Sequence, residues 1–426
     1  MTIDISSPLR LPCGARLANR LCKAALTEGL ADPMNRATPE LERLYRLWSE
    51  GGAGLVITGN VQVDRTHLER PGNVVIDGNG GIEALQAYAK AGTVAGNHLW
   101  MQINHPGRQT PIELNPHPLA PSAVALNLTG GYGAPREATD AEILDLIRRF
   151  AHVATVARET GFTGVQIHGA HGYLISQFLS PIANRRTDAW GGSLENRARF
   201  VLEIARAIRA AVGADFPVGL KLNSSDFQLG GFTLNEAITV VGMLNEAGID
   251  LLELSGGNYE QPAMIGLGGD GAGDAPVRES TLRREAYFLE YAAAIRPVAR
   301  MPLMVTGGFR TTAGMNEALN SGAADVIGLG RPMCVETDLP ARLLSGEIDR
   351  TPAWETLLKL APDEVGPEVG PERRQLIEML GKQGWFCLQL IYLGQGKGAK
   401  PGMGLHEAFV EYPRNEAATA ARLLHP

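Results

Sequence analysis

Eight short apolar runs, separated by stretches of helical pattern, leave few folds open to this chain. They lie at 21–26, 54–58, 99–103, 164–168, 218–222, 251–254, 303–306 and 326–329, and each reads as a buried strand. The segments between them carry helix-start signals. Thr38-Pro39-Glu40 offers an N-cap, a proline at the first helical position and an acid in the first turn. Thr139 with Glu142, and Thr233 with Glu236, have the spacing of capping boxes, and Ser193 suits the N-cap of a helix over 194–211. Strands alternating with helices imply an α/β protein with a parallel sheet, and eight such units predict closure into a (β/α)8 TIM barrel. A doubly wound sheet is the alternative, but no GxGxxG opens a helix near the start to support it.

Two segments depart from the alternation. The stretch 107–138, after the third strand, is long and rich in Pro, Asn and Gly, as lid-like or binding loops are. Beyond about residue 345, Pro362, Pro367 and Pro371 punctuate an acidic linker, 375–381 and 385–393 look helical, 394–404 is Gly/Lys-rich and a short helical tail follows from 417. The expected organisation is a barrel over 1–345 and a C-terminal helical extension over 346–426. Trp385, Phe386, Leu388 and Ile391 would pack on the barrel or on a neighbouring copy, the latter making a homo-oligomer. The extension is too short for a second dinucleotide-binding domain.

Composition narrows the function classes. A formal charge of -7 without any Lys/Arg run argues against a nucleic-acid partner. Cys13, Cys22, Cys334 and Cys387 form no CxxC, so neither an iron–sulfur cluster nor a zinc ribbon is written, and the pattern suits a reducing cytoplasm. The opening MTIDISSPLRLPCG lacks a basic-then-apolar leader and nowhere do eighteen apolar residues run together, so a cytoplasmic protein without a membrane partner is expected.

In a parallel barrel the carboxyl ends of the strands carry the chemistry. The fourth run ends on His168, and His171 and Tyr173 follow among Gly169, Ala170 and Gly172. Two imidazoles and a phenol there supply hydrogen-bond donors and one proton donor, while the small residues allow a ligand close approach. A His-x-x-His pair can also ligate a metal, but no third ligand stands at a recognisable spacing, so no metal site is read; two purely structural histidines are the other plain reading. Lys221, inside the apolar fifth run, is costly unless it meets an anion. A Schiff-base lysine of an aldolase barrel would account for Lys221, but not for His168, His171, Tyr173 and Gln102.

The segment GVQIHGAHGYLISQFLSPIANRRTDAWGGSLENRARF, residues 164–200, resembles the signature of the old yellow enzyme family, flavin-dependent ene-reductases on a (β/α)8 barrel. That family has His-x-x-His or His-x-x-Asn at this strand end with Tyr two residues on, and the resemblance runs in order over roughly 5–345. It implies non-covalent FMN reduced by NADPH or NADH, followed by reduction of an electron-poor alkene. His168 and His171 would bind the carbonyl or nitro oxygen, hydride would come from the flavin, and Tyr173 would supply the proton. The resemblance places Ala25, Leu26 and Thr27 beside the flavin, with Ala25 where the family has proline and Thr27 near the N5–C4=O edge. It places Asn60 and Gln102 at the pyrimidine ring and Lys221 by the N1–C2=O region. Gly307, Gly308, Gly330 and Arg331 would grip the phosphate, in the manner of the last two loops of many barrels. Asn104, His105 and Arg108 fall in or just past the expected substrate mouth without an assigned step. A non-catalytic flavin-binding barrel is the remaining alternative.

Overall fold

The structure is a computed structural model that describes residues 2–128, 131–260, 288–361, 364–366 and 368–423. All eight runs are strands: β1 (Leu21–Lys23), β2 (Leu55–Gln62), β3 (His98–Asn104), β4 (Gly164–Gly169), β5 (Val218–Asn223), β6 (Leu251–Ser255), β7 (Leu303–Thr306) and β8 (Val326–Leu329). They pair in chain order, every neighbour parallel, and β8 pairs β1 to close the barrel. The two expected capping boxes are formed, at Thr139/Glu142 and Thr233/Glu236, and the Ser193 side chain accepts from Asn196 N. Thr38 occupies an N-cap position, but its hydroxyl instead donates to Leu30 O at 2.7 Å, tying down the loop after β1. At the amino-terminal end, Leu11 and Leu17 pack with Trp100, Leu251 and Met304 and plug the barrel.

Two strands differ from expectation. β1 ends at Lys23, three residues short of the apolar run's end at 26, because after the bond from Ala24 N to Leu329 O the chain leaves the ladder toward the mouth. Lys23 points outward under the helix Pro39–Glu50, where it is fully buried. Its ammonium bonds Ile57 O at 2.8 Å and lies 3.9 Å from the centre of the Trp48 ring, a cation–π contact. Burial, partly offset by Glu28, lowers its pKa to about 8. β2 runs on to Gln62 through a register shift between Ile57 and Asn60, a bulge of the kind that re-aims side chains at barrel rims.

The insertion 107–138 is fastened at its base. Leu119–Ala120 pairs in parallel with Arg136–Glu137, and Leu119 N donates to His67 Nε2 at 2.9 Å.

The C-terminal extension contains one long helix, Pro371–Gly394, where two were expected, and a second helix, Leu405–Ala420, that starts well before 417. Gly381 and Gly384 look like breakers, yet they serve packing. A Cβ on Gly381 would lie 2.7 Å from Leu405 O, and one on Gly384 2.8 Å from Tyr412 Cβ, so their absence lets the two helices touch. Trp385, Leu388 and Ile391 form a satellite core with Leu358, Met403, Leu405 and Ala408, while Leu390 and Leu393 join the main core. Of the linker prolines, Pro362 and Pro367 lie outside the described residues and Pro371 opens the long helix. No helix among the described residues is long and apolar enough to cross a membrane.

Trp385 is fully buried, and its indole N–H donates to Met403 O at 3.1 Å. Trp385→Ala is expected to cost about 3–5 kcal/mol, the range for a large aromatic lost from a core. Urea unfolding should show one transition at a lower midpoint; an unchanged midpoint would mean that the extension is not integral to the fold.

Candidate functional site

The parallel register decides which side chains meet at the mouth. His168 pairs Lys221, Lys221 pairs Glu253, and Gln102 pairs Gln166 on the adjacent strand. Inside the barrel this becomes a polar row. Gln102 Nε2 donates to Gln166 Oε1 at 2.7 Å, and Gln166 Nε2 donates to Glu253 Oε2 at 2.8 Å. Glu253 Oε1 takes Lys221 Nζ at 3.0 Å and the Thr306 hydroxyl at 2.7 Å. The anion that Lys221 requires is thus an internal carboxylate. Gln102 commits one amide N–H to Gln166 and keeps its carbonyl for a ligand.

Above this row the loop after β4 forms a compact ring cluster. His168 lies 4.8 Å from Tyr173 and 4.9 Å from His171, centre to centre, with near-perpendicular planes. His171 has φ of +62°, a left-handed conformation costly for a residue with a Cβ. It is held there by bonds from its N–H to Asn223 Oδ1 at 3.1 Å and from Gln109 Nε2 to its carbonyl at 3.0 Å. Gly172 follows at φ +75°, where a Cβ would lie 2.5 Å from Gln109 Oε1, so glycine is required.

Burial, reinforced by the Lys221 charge, pushes both histidines well below their ordinary pKa. A neutral imidazole donates through one nitrogen only. His168 Nδ1 accepts from Ala170 N at 3.3 Å, which assigns its proton to Nε2. His171 Nε2 shares a 2.6 Å bond with the Ser255 hydroxyl, leaving Nδ1 for a ligand. The Tyr173 hydroxyl is 2.8 Å from that of Tyr259, and burial raises its pKa well above the usual value, so the phenol keeps its proton.

The other expected residues surround this cluster. Ala25, Leu26 and Thr27 follow β1 and are half-buried; the Thr27 hydroxyl donates to Glu69 Oε2 at 2.9 Å. Asn60 lies beyond the β2 bulge and its side-chain oxygen accepts from Asn73 Nδ2 at 3.1 Å. Gly307 and Gly308, after β7, have φ of +102° and +83°. A Cβ built at Gly307 or Gly330 would meet nothing within 4 Å, so the backbone there lies open to a ligand. Arg331 follows Gly330, and Glu355 of the extension pairs with Arg310 and lies 3.8 Å from Arg331. Glu355 Oε2 is buried without a partner among the described residues, beside two guanidinium groups. This cradle of open glycines and cations fits a phosphate. The Gln102 carbonyl as acceptor and the Lys221 ammonium as donor match the ring N–H and carbonyl groups that a flavin presents.

Three other polar residues lie at the end of β3 and just past it. Asn104, His105 and Arg108 are all buried, Arg108 bonding Glu260 at 2.8 Å and the carbonyls of Val124 and Ala125 in the insertion. Asp64, His67 and His105 bring potential ligand atoms within 4.8 Å of one another. Both His67 nitrogens are already engaged, Nδ1 with Asp64 at 3.1 Å and Nε2 with Leu119 N, so this cluster reads as a hydrogen-bonded anchor for the insertion. Sequence reasoning passed over Gln166 and Glu253, although a polar residue inside an apolar run is the signal that singled out Lys221. Glu69 carries no local signal at all.

The model of the NADH:flavin oxidoreductase / NADH oxidase family matches residues 5–349. Two fungal proteins named NADH-dependent flavin oxidoreductase iliE are similar to the chain. That of Neonectria sp. (strain DH2) is 40% identical over 387 residues, covering 86% of this chain and 49% of the relative. That of Hypocrea jecorina (strain QM6a) is 36% identical over 362 residues, covering 80% and 89% respectively. Among solved structures, a 2-naphthoyl-CoA reductase in complex with 2-naphthoyl-CoA matches with a TM-score of 0.73 and 28% identity over 82% of this chain and 54% of that one. An old yellow enzyme homologue from Zymomonas mobilis matches with a TM-score of 0.69 and 26% identity over 84% and 97%. The chain therefore spans about half the length of the Neonectria relative and of the reductase chain.

Glu253→Ala should leave Lys221 as a buried, uncompensated charge. The expected cost is about 3–5 kcal/mol in denaturant unfolding, as for a broken buried ion pair. A loss below about 1 kcal/mol, typical of an exposed pair, would show that solvent reaches Lys221.

Proposed function

The chain belongs to the NADH:flavin oxidoreductase / NADH oxidase family, that of the old yellow enzymes, and on that premise we propose an FMN-dependent oxidoreductase that reduces activated C=C bonds. Its acceptors are α,β-unsaturated carbonyl or nitro compounds, and its reductant is NADH or NADPH. NADH is the first to test, since both fungal relatives are named NADH-dependent. The observation that carries this reading is the juxtaposition of a neutral His168 and the Tyr173 phenol, 4.8 Å apart, at the open end of the barrel.

In this reading residues 1–345 bind FMN and 346–426 support the barrel. The phosphate lies against Gly307, Gly308, Gly330 and Arg331; Ala25, Leu26, Thr27, Asn60, Gln102 and Lys221 address the ring. FMN, when bound, supplies the hydride chemistry between nicotinamide and alkene. The protein supplies the rest. His168 Nε2–H and His171 hold the acceptor's oxygen, where negative charge grows as the alkene is reduced, so donors fixed there lower the barrier. Tyr173, kept protonated by burial, delivers its proton to the α-carbon. Lys221 Nζ is held 3.0 Å from Glu253, which disfavours Schiff-base chemistry, since that needs the nitrogen free to attack a carbonyl. The four cysteines are unpaired, in keeping with a cytoplasmic setting.

The purified protein should show flavin absorption that bleaches anaerobically with NADH or NADPH and returns on adding 2-cyclohexenone. No flavin, even after incubation with FMN, would overturn the proposal. Tyr173→Phe should slow re-oxidation by the enone by about 10²–10⁴-fold, the usual contribution of a general acid, with much less effect on reduction by nicotinamide. Equal slowing of both half-reactions would remove Tyr173 from the proton-donor role.

A further inference from the structure

Beyond Tyr173 the hydroxyl chain continues into the protein. Tyr259, in the loop after β6, shares the 2.8 Å bond with Tyr173, and its hydroxyl lies 3.4 Å from Oε1 of Glu69, in the loop after β2. The second oxygen of Glu69 is held by the Thr27 hydroxyl at 2.9 Å and by Asn73 Nδ2 at 3.5 Å. Three loops, distant in sequence, therefore align phenol, phenol and carboxyl. Nothing in the proposed reduction requires Tyr259 or Glu69, yet they end on the group that gives up a proton.

Resting on the reading of Tyr173 as proton donor, we infer that Glu69 is a positioning residue that returns the proton to Tyr173 through the Tyr259 hydroxyl. The transfer is balanced. As the Tyr173 proton leaves for carbon, the Tyr259 proton moves to the Tyr173 oxygen and the Glu69 proton to the Tyr259 oxygen. Each electron pair stays on its oxygen, and Glu69 is left a carboxylate. Glu69 is half-buried, so water can reprotonate it. The direction of the chain depends on that proton. An ionised Glu69 accepts from Tyr259, whereas a protonated Glu69 donates and turns each hydroxyl toward the site.

Burial moves the balance toward the protonated form. Burial raises the Glu69 pKa, aided by Glu416 and opposed by Arg70 and by the bonds from Thr27 and Asn73. Arg70 is itself paired with Glu416 and stacks on Tyr412, both on the helix Leu405–Ala420. Cys387, Tyr132 and Tyr259 are the other titratable groups that face Glu69. The relay is therefore competent below the raised Glu69 pKa and lost as pH rises through it.

The test is anaerobic stopped-flow on the FMN-loaded enzyme, comparing re-oxidation by 2-cyclohexenone, which needs a proton on carbon, with ferricyanide, which does not. Glu69→Gln keeps the hydrogen-bonding shape but carries no transferable proton. It should slow the enone reaction about tenfold or more relative to ferricyanide, the low end of what proton transfer contributes, and abolish the high-pH decline expected of the wild type. Tyr259→Phe should match it and serves if Glu69→Gln loses flavin. Wild-type enone rates in both variants, or equal slowing with ferricyanide, would overturn the relay. If Tyr173→Phe is slow while both relay variants are not, the relay alone fails. If Tyr173→Phe is itself unimpaired, the proton-donor reading fails first and the relay with it.

Discussion

The buried pair between Lys221 and Glu253 is the constraint on which the rest of the site depends. A small parallel barrel is ordinarily filled by branched apolar side chains, and a lone lysine or glutamate inside would be prohibitive. Here each charge cancels the other, and Thr306, Gln166 and Gln102 complete their bonds in a row. That row exists only in one register, because a one-residue slip turns every side chain of the strand to the other face. Folding correctly and assembling the site are therefore the same event. The Lys221 charge also reaches the histidines above, adding to the burial that keeps His168 and His171 neutral and so sets how many N–H groups they can offer.

The mouth is rigid because its strain is answered by bonds from neighbouring loops. His171 stays in a left-handed conformation because Asn223 and Gln109 grip its backbone, while Ser255 fixes its ring. The C-terminal extension takes part in the same way. Glu416 clamps Arg70 on the β2 loop, next to Glu69, and Glu355 clamps Arg310 on the β7 loop, next to the open glycines. The extension thus braces two loops from outside, although none of its own residues stands among those assigned to the mouth.

Much of the architecture was legible because it depends on local patterns. Apolar runs and capping boxes report on segments a few residues long, and β7 and β8 coincide with their runs. Boundaries failed where tertiary context took over. β1 ends early because the chain leaves the ladder after the bond from Ala24 N to Leu329 O, and Gly381 and Gly384 sit within a helix because a second helix needs their missing side chains. His168, His171 and Tyr173 were visible because they lie within six consecutive positions. Glu69, Tyr259 and Thr27 meet from three separate loops, which no spacing could announce.

The sequence by itself determined an eightfold strand–helix alternation, hence a closed parallel sheet, and a dense donor cluster at one strand end. Both are short-range properties of a chain, written in periodicity and adjacency. The tertiary structure alone decided that Glu253 neutralises Lys221, that Gln102 donates one N–H to Gln166, and that Tyr173 is wired through Tyr259 to Glu69. Those outcomes depend on which side chains of distant segments come within about 3 Å. Strand register and loop packing fix that distance, and neither is encoded in any single stretch of the chain.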